Sequence, residues 1–180
     1  KRITMIDLIK ENVSRFFISR KLKNLVLNEQ DFSEALKRSG SFLILMPEDE
    51  KDFRASYLVI EHLEHLNKSI KILTRDYRIS LLPAKFRNKA MEFGISDLNK
   101  LDLPSHKLIE KLSEMKFDGV IDLNRKDDLF YSYVSNLVNA RIRIGFTKKG
   151  ADKFYNFQIS NNDIESEKSY SNFLNCLKMF

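Results

Sequence analysis

The sequence holds one cysteine, Cys176, among 180 residues. A lone cysteine excludes an internal disulfide framework and fits a reducing compartment. Cys176 reads as a small buried hydrophobe in a helix, not as a nucleophile. Long apolar runs are also missing. The longest, such as Phe42 to Met46, fall far short of the ~20 residues that cross a bilayer. No signal peptide with a small-residue cleavage site is visible, so a soluble cytoplasmic protein is expected. Glycine is scarce, at five residues, and no GxGxxG or Walker loop can be drawn through them, which argues against a self-sufficient dinucleotide or P-loop nucleotide site. No Ser-His-Asp or Cys-His constellation, internal repeat, low-complexity tract or linker is apparent.

Charge is present but unevenly spread. The net charge is +6, and residues 1–23 hold seven Lys and Arg against Asp7 and Glu11. The remainder of the chain is nearly balanced, which argues against a nucleic-acid footprint spread over the fold. Within this basic segment Thr4 and Asp7 have capping-box spacing, and Ile6, Ile9, Val13, Phe16 and Phe17 recur at helical intervals. A basic amphipathic helix of this kind, with Arg15, Arg20, Lys21 and Lys23 nearby, packs on its own or a partner domain, or lies on an anionic membrane surface. A second short helical stretch covers residues 28–40.

From Ser41 the pattern changes. Apolar runs of strand length at 41–46, 69–74, 118–123 and 141–146, with a weaker one at 99–103, alternate with helical patterns at about 52–66, 84–93, 105–115 and 127–139. Strands apolar on both faces that alternate with helices imply an α/β domain, a Rossmann-like doubly wound parallel sheet of about five strands. Residues 153–160 add a strand or hairpin, and 165–180 read as a terminal helix. The expected organisation is a helical extension over 1–40 and a Rossmann-like domain over 41–180.

In such sheets ligands lie beyond the carboxyl ends of the strands, at the switch in strand order. Three segments qualify: Pro47 to Phe53, Asn124 to Asp128, and Thr147 to Gly150. The first is strongly acidic. Its readings are a catalytic mouth, a Mg²⁺ site made by Glu48, Asp49, Glu50 and Asp52, or the charged opening of a helix. His62 and His65 have an i, i+3 spacing that can bind zinc, but no Cys or third His completes the set.

The segments FLILMPEDEKDFRASYLVIEHLEHLNKSIKIL, KFDGVIDLN, ARIRIGFTKKGADKFYNF and ESEKSYSNFLNCLKMF, in this order over about residues 41–180, resemble the N-terminal domain of the glycosyltransferase family 9 heptosyltransferases. The resemblance implies one half of a GT-B enzyme, two Rossmann-like domains facing each other across a cleft. The acceptor would be held mainly by this half. The nucleotide-sugar donor would bind mainly in a C-terminal domain outside this sequence, with no metal or other cofactor. It further implies a lipid-linked or lipopolysaccharide-core acceptor at the inner membrane face, and hence a cytoplasmic protein peripheral to that membrane. Counted without a gap, Asp52 falls where the family has the Asp thought to deprotonate the acceptor hydroxyl, and Lys51 stands at the preceding Gly. An inverting transfer needs such a base opposite the departing nucleotide. Asn124, Arg125 and Lys126 replace the Gln or His and Gly of the family's acceptor-facing loop. Arg125, Lys126, Lys148 and Lys149 then suit phosphate or carboxylate groups on the acceptor, or else a solvated helix start and a basic turn. The alternative is a degenerate, non-catalytic Rossmann-like module that binds a partner or an anionic glycan.

Overall fold

The computed structural model describes residues 5–21, 32–161 and 165–180. Helices α1 (Met5–Lys21) and α2 (Phe32–Arg38) precede strand β1 (Ser41–Leu45). Helices α3 (Glu50–Ala55) and α4 (Tyr57–His65) lead to β2 (Ser69–Arg75), α5 (Ala84–Arg87) to β3 (Ala90–Phe93), and α6 (His106–Ser113) to β4 (Gly119–Asp122). Then come α7 (Leu129–Leu137), β5 (Ile142–Phe146), β6 (Phe157–Ile159) and α8 (Ser166–Lys178).

The six strands form one all-parallel sheet in the order β3-β2-β1-β4-β5-β6. Successive side chains of a strand point to opposite faces, and the apolar residues divide accordingly. Phe42, Ile44, Ile72, Ile121 and Ile144 pack with Val59, Ile60 and Leu63 of α4 and Tyr170 and Phe173 of α8. Leu43, Leu45, Leu73 and Val120 pack on the other face with Leu108 and Leu112 of α6 and Phe130, Tyr131 and Val134 of α7. This doubly wound Rossmann-like α/β architecture is the expected one. Gly119 is required by close approach, because a Cβ there would lie 2.5 Å from the ring of Phe42 on the neighbouring strand.

Two strand expectations are corrected. Residues 99–103 are a turn: the Asn99 side chain accepts from the Leu101 and Leu103 amides, and Asp102 has φ of 57°. The third strand is β3, inside the span 84–93 read as helical, of which only α5 is helix. Met91 and Phe93 are buried around exposed Glu92, a period of two too short to stand out beside Phe86 and Ala90. The helix expected over 52–66 is broken at Ser56, whose hydroxyl bonds to the Phe53 carbonyl at 2.7 Å. Residues 153–160 contribute β6, a sixth parallel strand, and not a hairpin.

Helix α1 packs on segments that follow β3, β4 and β5. Its Ile18 is buried with Leu103, Tyr133, Phe154 and Tyr155. The Ser14 hydroxyl bonds to the Leu101 carbonyl at 3.2 Å, and Lys10 and Arg15 pair with Asp102 and Asp127 at 3.3 and 2.6 Å. In α2, Ala35 and Leu36 pack against the β1 core. Thr4, Lys23, residues 28–31 and the side chains of Ile6, Asp7, Ile9, Phe17 and Lys21 lie outside what the structure describes. Among the described residues no helix is long and apolar enough to cross a membrane.

Candidate functional site

The reversal in strand order falls between β1 and β4, so the loops after these strands and after β5 mark where a doubly wound sheet takes its ligand. The acidic loop after β1 is dispersed there. Asp49 caps α3, accepting the Lys51 and Asp52 amides at 3.0 and 3.2 Å. The bond from the Asp52 amide, with the charges of Lys126 and Arg125, holds its carboxyl below the usual carboxylate range. Glu50 pairs with Arg54 at 2.9 Å and Arg78 at 3.2 Å. Glu48 pairs with Arg75 at 2.5 Å. Among the described residues no group of three or more His, Cys, Asp or Glu is placed to hold a metal ion.

Asp52 is 2% exposed. Its Oδ1 accepts from Arg125 Nη2 and from the Ser166 hydroxyl, each at 2.7 Å. The guanidinium also bonds to Ser169 Oγ at 3.0 Å and Ser166 Oγ at 3.2 Å, so Asp52 and Arg125 together fasten the start of α8 to the sheet edge. Burial opposes the charge on Arg125, and the bond and charge of Asp52 outweigh it and raise its pKa. Lys51 is exposed and borders an open groove of about 690 Å³ with Arg54, Glu165 and Ser166.

The other candidate residues divide into engaged and free. Asp122, fully buried at the end of β4, accepts Asn124 Nδ2 at 2.7 Å and the Asn124 amide at 3.0 Å on Oδ1. On Oδ2 it accepts Lys148 Nζ at 2.7 Å and the Tyr155 hydroxyl at 2.5 Å. The Lys148 side chain is 4% exposed and also reaches the Asn124 carbonyl at 3.1 Å. Asn124 and Lys148 therefore tie three strand-end loops together. Lys126 and Lys149 are exposed.

Sequence reasoning missed a third group at this edge. Arg75 leaves the end of β2 and lies over the rings of Phe93 and Phe130, at 4.6 and 5.7 Å from their centroids. The Tyr131 hydroxyl is fully buried and has no hydrogen-bond partner among the described residues, and burial first, then the charges of Glu48 and Asp128, pushes its pKa well up. Burial first, then the charge of Glu48, pushes Asp128 up to about 6, although its carboxylate also caps α7 through the Phe130 amide at 2.8 Å. No local signal sets Tyr131 apart from the apolar stripe of its helix, and Asp128 reads as an ordinary N-cap.

Comparison with solved structures finds the Escherichia coli heptosyltransferase WaaC, solved with ADP. The likeness has a TM-score of 0.52 at 16% identity, over 75% of this chain and 47% of WaaC. At that identity the likeness speaks for the fold alone, a Rossmann-like α/β arrangement. The chain spans about half the length of that enzyme. No curated protein matches the sequence. A family-wide sequence profile matches residues 10–180, which takes in most of α1 with the sheet, and the chain thus belongs to the family of unknown function DUF6913.

Proposed function

We propose that the chain is the acceptor-side half of a GT-B glycosyltransferase, which moves a sugar from a nucleotide-sugar donor onto a glycan hydroxyl. The carrying observation is the parallel sheet with its order reversal between β1 and β4, together with the fold likeness over about half of a heptosyltransferase. In this reading a second Rossmann-like domain holds the nucleotide. The acceptor, a lipopolysaccharide core or another lipid-linked glycan, meets the carboxyl edge described above. The reaction breaks the donor's sugar–phosphate bond, forms the new glycosidic bond from the acceptor oxygen, and leaves the acceptor proton on a carboxylate of this half.

Asp52 remains the proposed base on the strength of its place after β1. Its enclosure sets a condition, since an acceptor hydroxyl reaches it only when Arg125 and Ser166 turn away. An acceptor bearing phosphate or carboxylate groups supplies a competing partner for that guanidinium, and Lys51, Lys126 and Lys149 are exposed to meet the same groups.

A second reading, a non-catalytic binding module, has its own support. Lys51 stands where the resembling transferases have glycine, and Asp52, Asn124, Arg125 and Lys148 are all engaged in internal bonds. Assay of the full natural protein with ADP- and UDP-sugars and a lipopolysaccharide-core acceptor separates the two. Transfer that falls at least a hundredfold in Asp52→Asn supports the enzyme. Absence of both nucleotide-sugar binding and transfer supports the module.

A further inference from the structure

A cavity that no assignment above uses lies at the other end of the sheet, where the strands begin. Its volume is about 300 Å³. Phe42 at the start of β1, Leu63 of α4 and Leu177 of α8 form its floor, and all three are buried in the core. Leu36 of α2, Leu66 after α4 and Phe180 after α8 form its walls. Leu66 is 52% exposed, so the apolar lining reaches water. The Phe180 ring is held edge-on against Phe157, with 5.2 Å between centroids.

The rest of the lining is basic: Lys37, His62, Lys68 and Lys178. Among the described residues no Asp or Glu side chain lines the cavity. The lysines that pair with acids among those residues are Lys10, Lys85, Lys89, Lys148 and Lys168, a set that leaves out all three at this rim. Lys37 reaches the Ser33 hydroxyl at 3.5 Å, and Lys68 donates to the Lys37 carbonyl at 3.0 Å. Burial, then the charge of Lys178, holds His62 below the usual imidazole range, so at neutral pH the lysines carry the positive charge. Lys37 and Lys178 stand in the last turns of α2 and α8, where a cation offsets the helix dipole. That placement explains a basic helix end, but not an open apolar floor beneath it.

Floor and rim together select the ligand class. A sugar or a nucleobase needs acceptors as well as donors around it, and ammonium groups only donate. A metal cation meets positive charge alone. An alkyl chain needs no polar partner on the floor, and each methylene taken out of water is favourable. A carboxylate at its end meets the ammonium groups that lack an acid partner. The volume is at the lower end of small-ligand sites and suits one chain, not the two of a membrane phospholipid.

We propose that this cavity binds a single-chain fatty acid, with the alkyl chain on Phe42, Leu63 and Leu177 and the carboxylate among Lys37, Lys68 and Lys178. The inference is independent of the transferase reading, because the site lies away from the carboxyl edge. Helix α8 runs between the two: Ser166 and Ser169 at its start meet Arg125, and Leu177 at its end lines the cavity.

The test is an amide-resolved NMR titration of the whole chain with octanoate, decanoate and decyltrimethylammonium below their micelle concentrations. Decanoate should give saturable shifts at Leu63, Leu66, Leu177 and Phe180. Octanoate should bind about fifteenfold more weakly, at about fourfold for each missing methylene. Decyltrimethylammonium, the same chain with a cationic head, should bind at least about tenfold more weakly than decanoate. Lys37→Glu combined with Lys178→Glu changes two exposed side chains; it should keep the wild-type circular dichroism spectrum and weaken decanoate about tenfold. No saturable shift at these residues, equal affinity for the anionic and cationic probes, or equal decanoate affinity in wild type and the double variant overturns the site. Binding to vesicles of anionic phospholipid without binding to monomeric decanoate overturns it in favour of a membrane-facing surface. Shifts at these residues that follow protein concentration alone overturn it in favour of a second copy of this chain.

Discussion

The Asp52–Arg125 pair gives the most direct measure of how tightly the carboxyl edge is closed. The Asp52 side chain is 3% exposed and that of Arg125 17%. Replacing Arg125 with alanine leaves a buried carboxylate supported by the Ser166 hydroxyl alone. Breaking a buried pair from one side costs about 3–5 kcal/mol. The partial exposure of the arginine admits some water, which places Arg125→Ala near the lower end, about 3 kcal/mol. Asp52→Asn is milder. The guanidinium keeps Ser166 and Ser169 as acceptors and reaches solvent, so the loss is about 1 kcal/mol, the worth of one hydrogen bond. Most of the larger cost disappears once the carboxylate is gone, and the double variant should show a coupling of about 2 kcal/mol. Urea unfolding of the four proteins followed by circular dichroism measures each corner of the cycle. Thermal midpoints should move by about 2–4 °C per kcal/mol for a chain of this size. Accelerated amide exchange in α8 should accompany the loss of Arg125, because both of its serine partners lie on that helix. An Arg125→Ala cost under about 1 kcal/mol, with coupling under about 0.5 kcal/mol, refutes the buried pair and leaves Asp52 open to an acceptor.

Three further outcomes are expected. Asp128 is raised from its ordinary 3.8 to about 6, so the folded state holds its proton more tightly than the unfolded chain and wild type loses stability as pH rises from about 4 through 6. The charges facing it are Glu48 after β1, Asp122 of β4 and Lys148 after β5. Asp128→Asn removes this loss, and its stability relative to wild type should grow by at most about 3 kcal/mol between pH 4 and 7 in urea titrations; a difference flat in pH contradicts the burial that raises this carboxyl. Gly119→Ala drives a methyl to 2.5 Å from Phe42 and should cost roughly 1–3 kcal/mol in the same assay, partly restored by Phe42→Leu; a neutral single variant shows that β1 and β4 are not in this register. Val13 and Phe16 on α1 are 45% and 69% exposed, so flotation with anionic liposomes should depend on residues 1–23 if this helix also meets a membrane; equal flotation without them removes that role.

The sheet was legible because its signal is local. Strands such as Ser41–Leu45 and Ile142–Phe146 are buried almost throughout, and a strand covered on both faces must be a continuous apolar run. β3 escaped because four residues with one exposed glutamate cannot display a period, and the apolar 99–103 run drew the assignment to a turn. The site was half legible for a related reason. That Asp49, Glu50 and Asp52 open a helix follows from their own neighbours. That Asp52 meets Arg125, or Lys148 meets Asp122, depends on residues from different loops converging at the strand order reversal. Nothing in "NRKDD" or "TKKG" distinguishes a lysine bound for a buried carboxylate from one bound for solvent.

The same convergence bears on where a ligand can act. The loop after β1 has no glycine, and the Lys51 and Asp52 amides that open α3 are taken by the Asp49 carboxylate, so recognition at that loop falls to side chains. Strand-end side chains buried away from water need partners from within the protein or from a ligand. Asp52, Arg125, Asp122, Asn124 and Lys148 find theirs internally, through bonds of 2.7–3.0 Å. Their fixed geometry braces the loops and holds α8 in place. An anionic acceptor group would have to break these bonds to bind there, so Asp52 is reached only by a ligand able to draw Arg125 away.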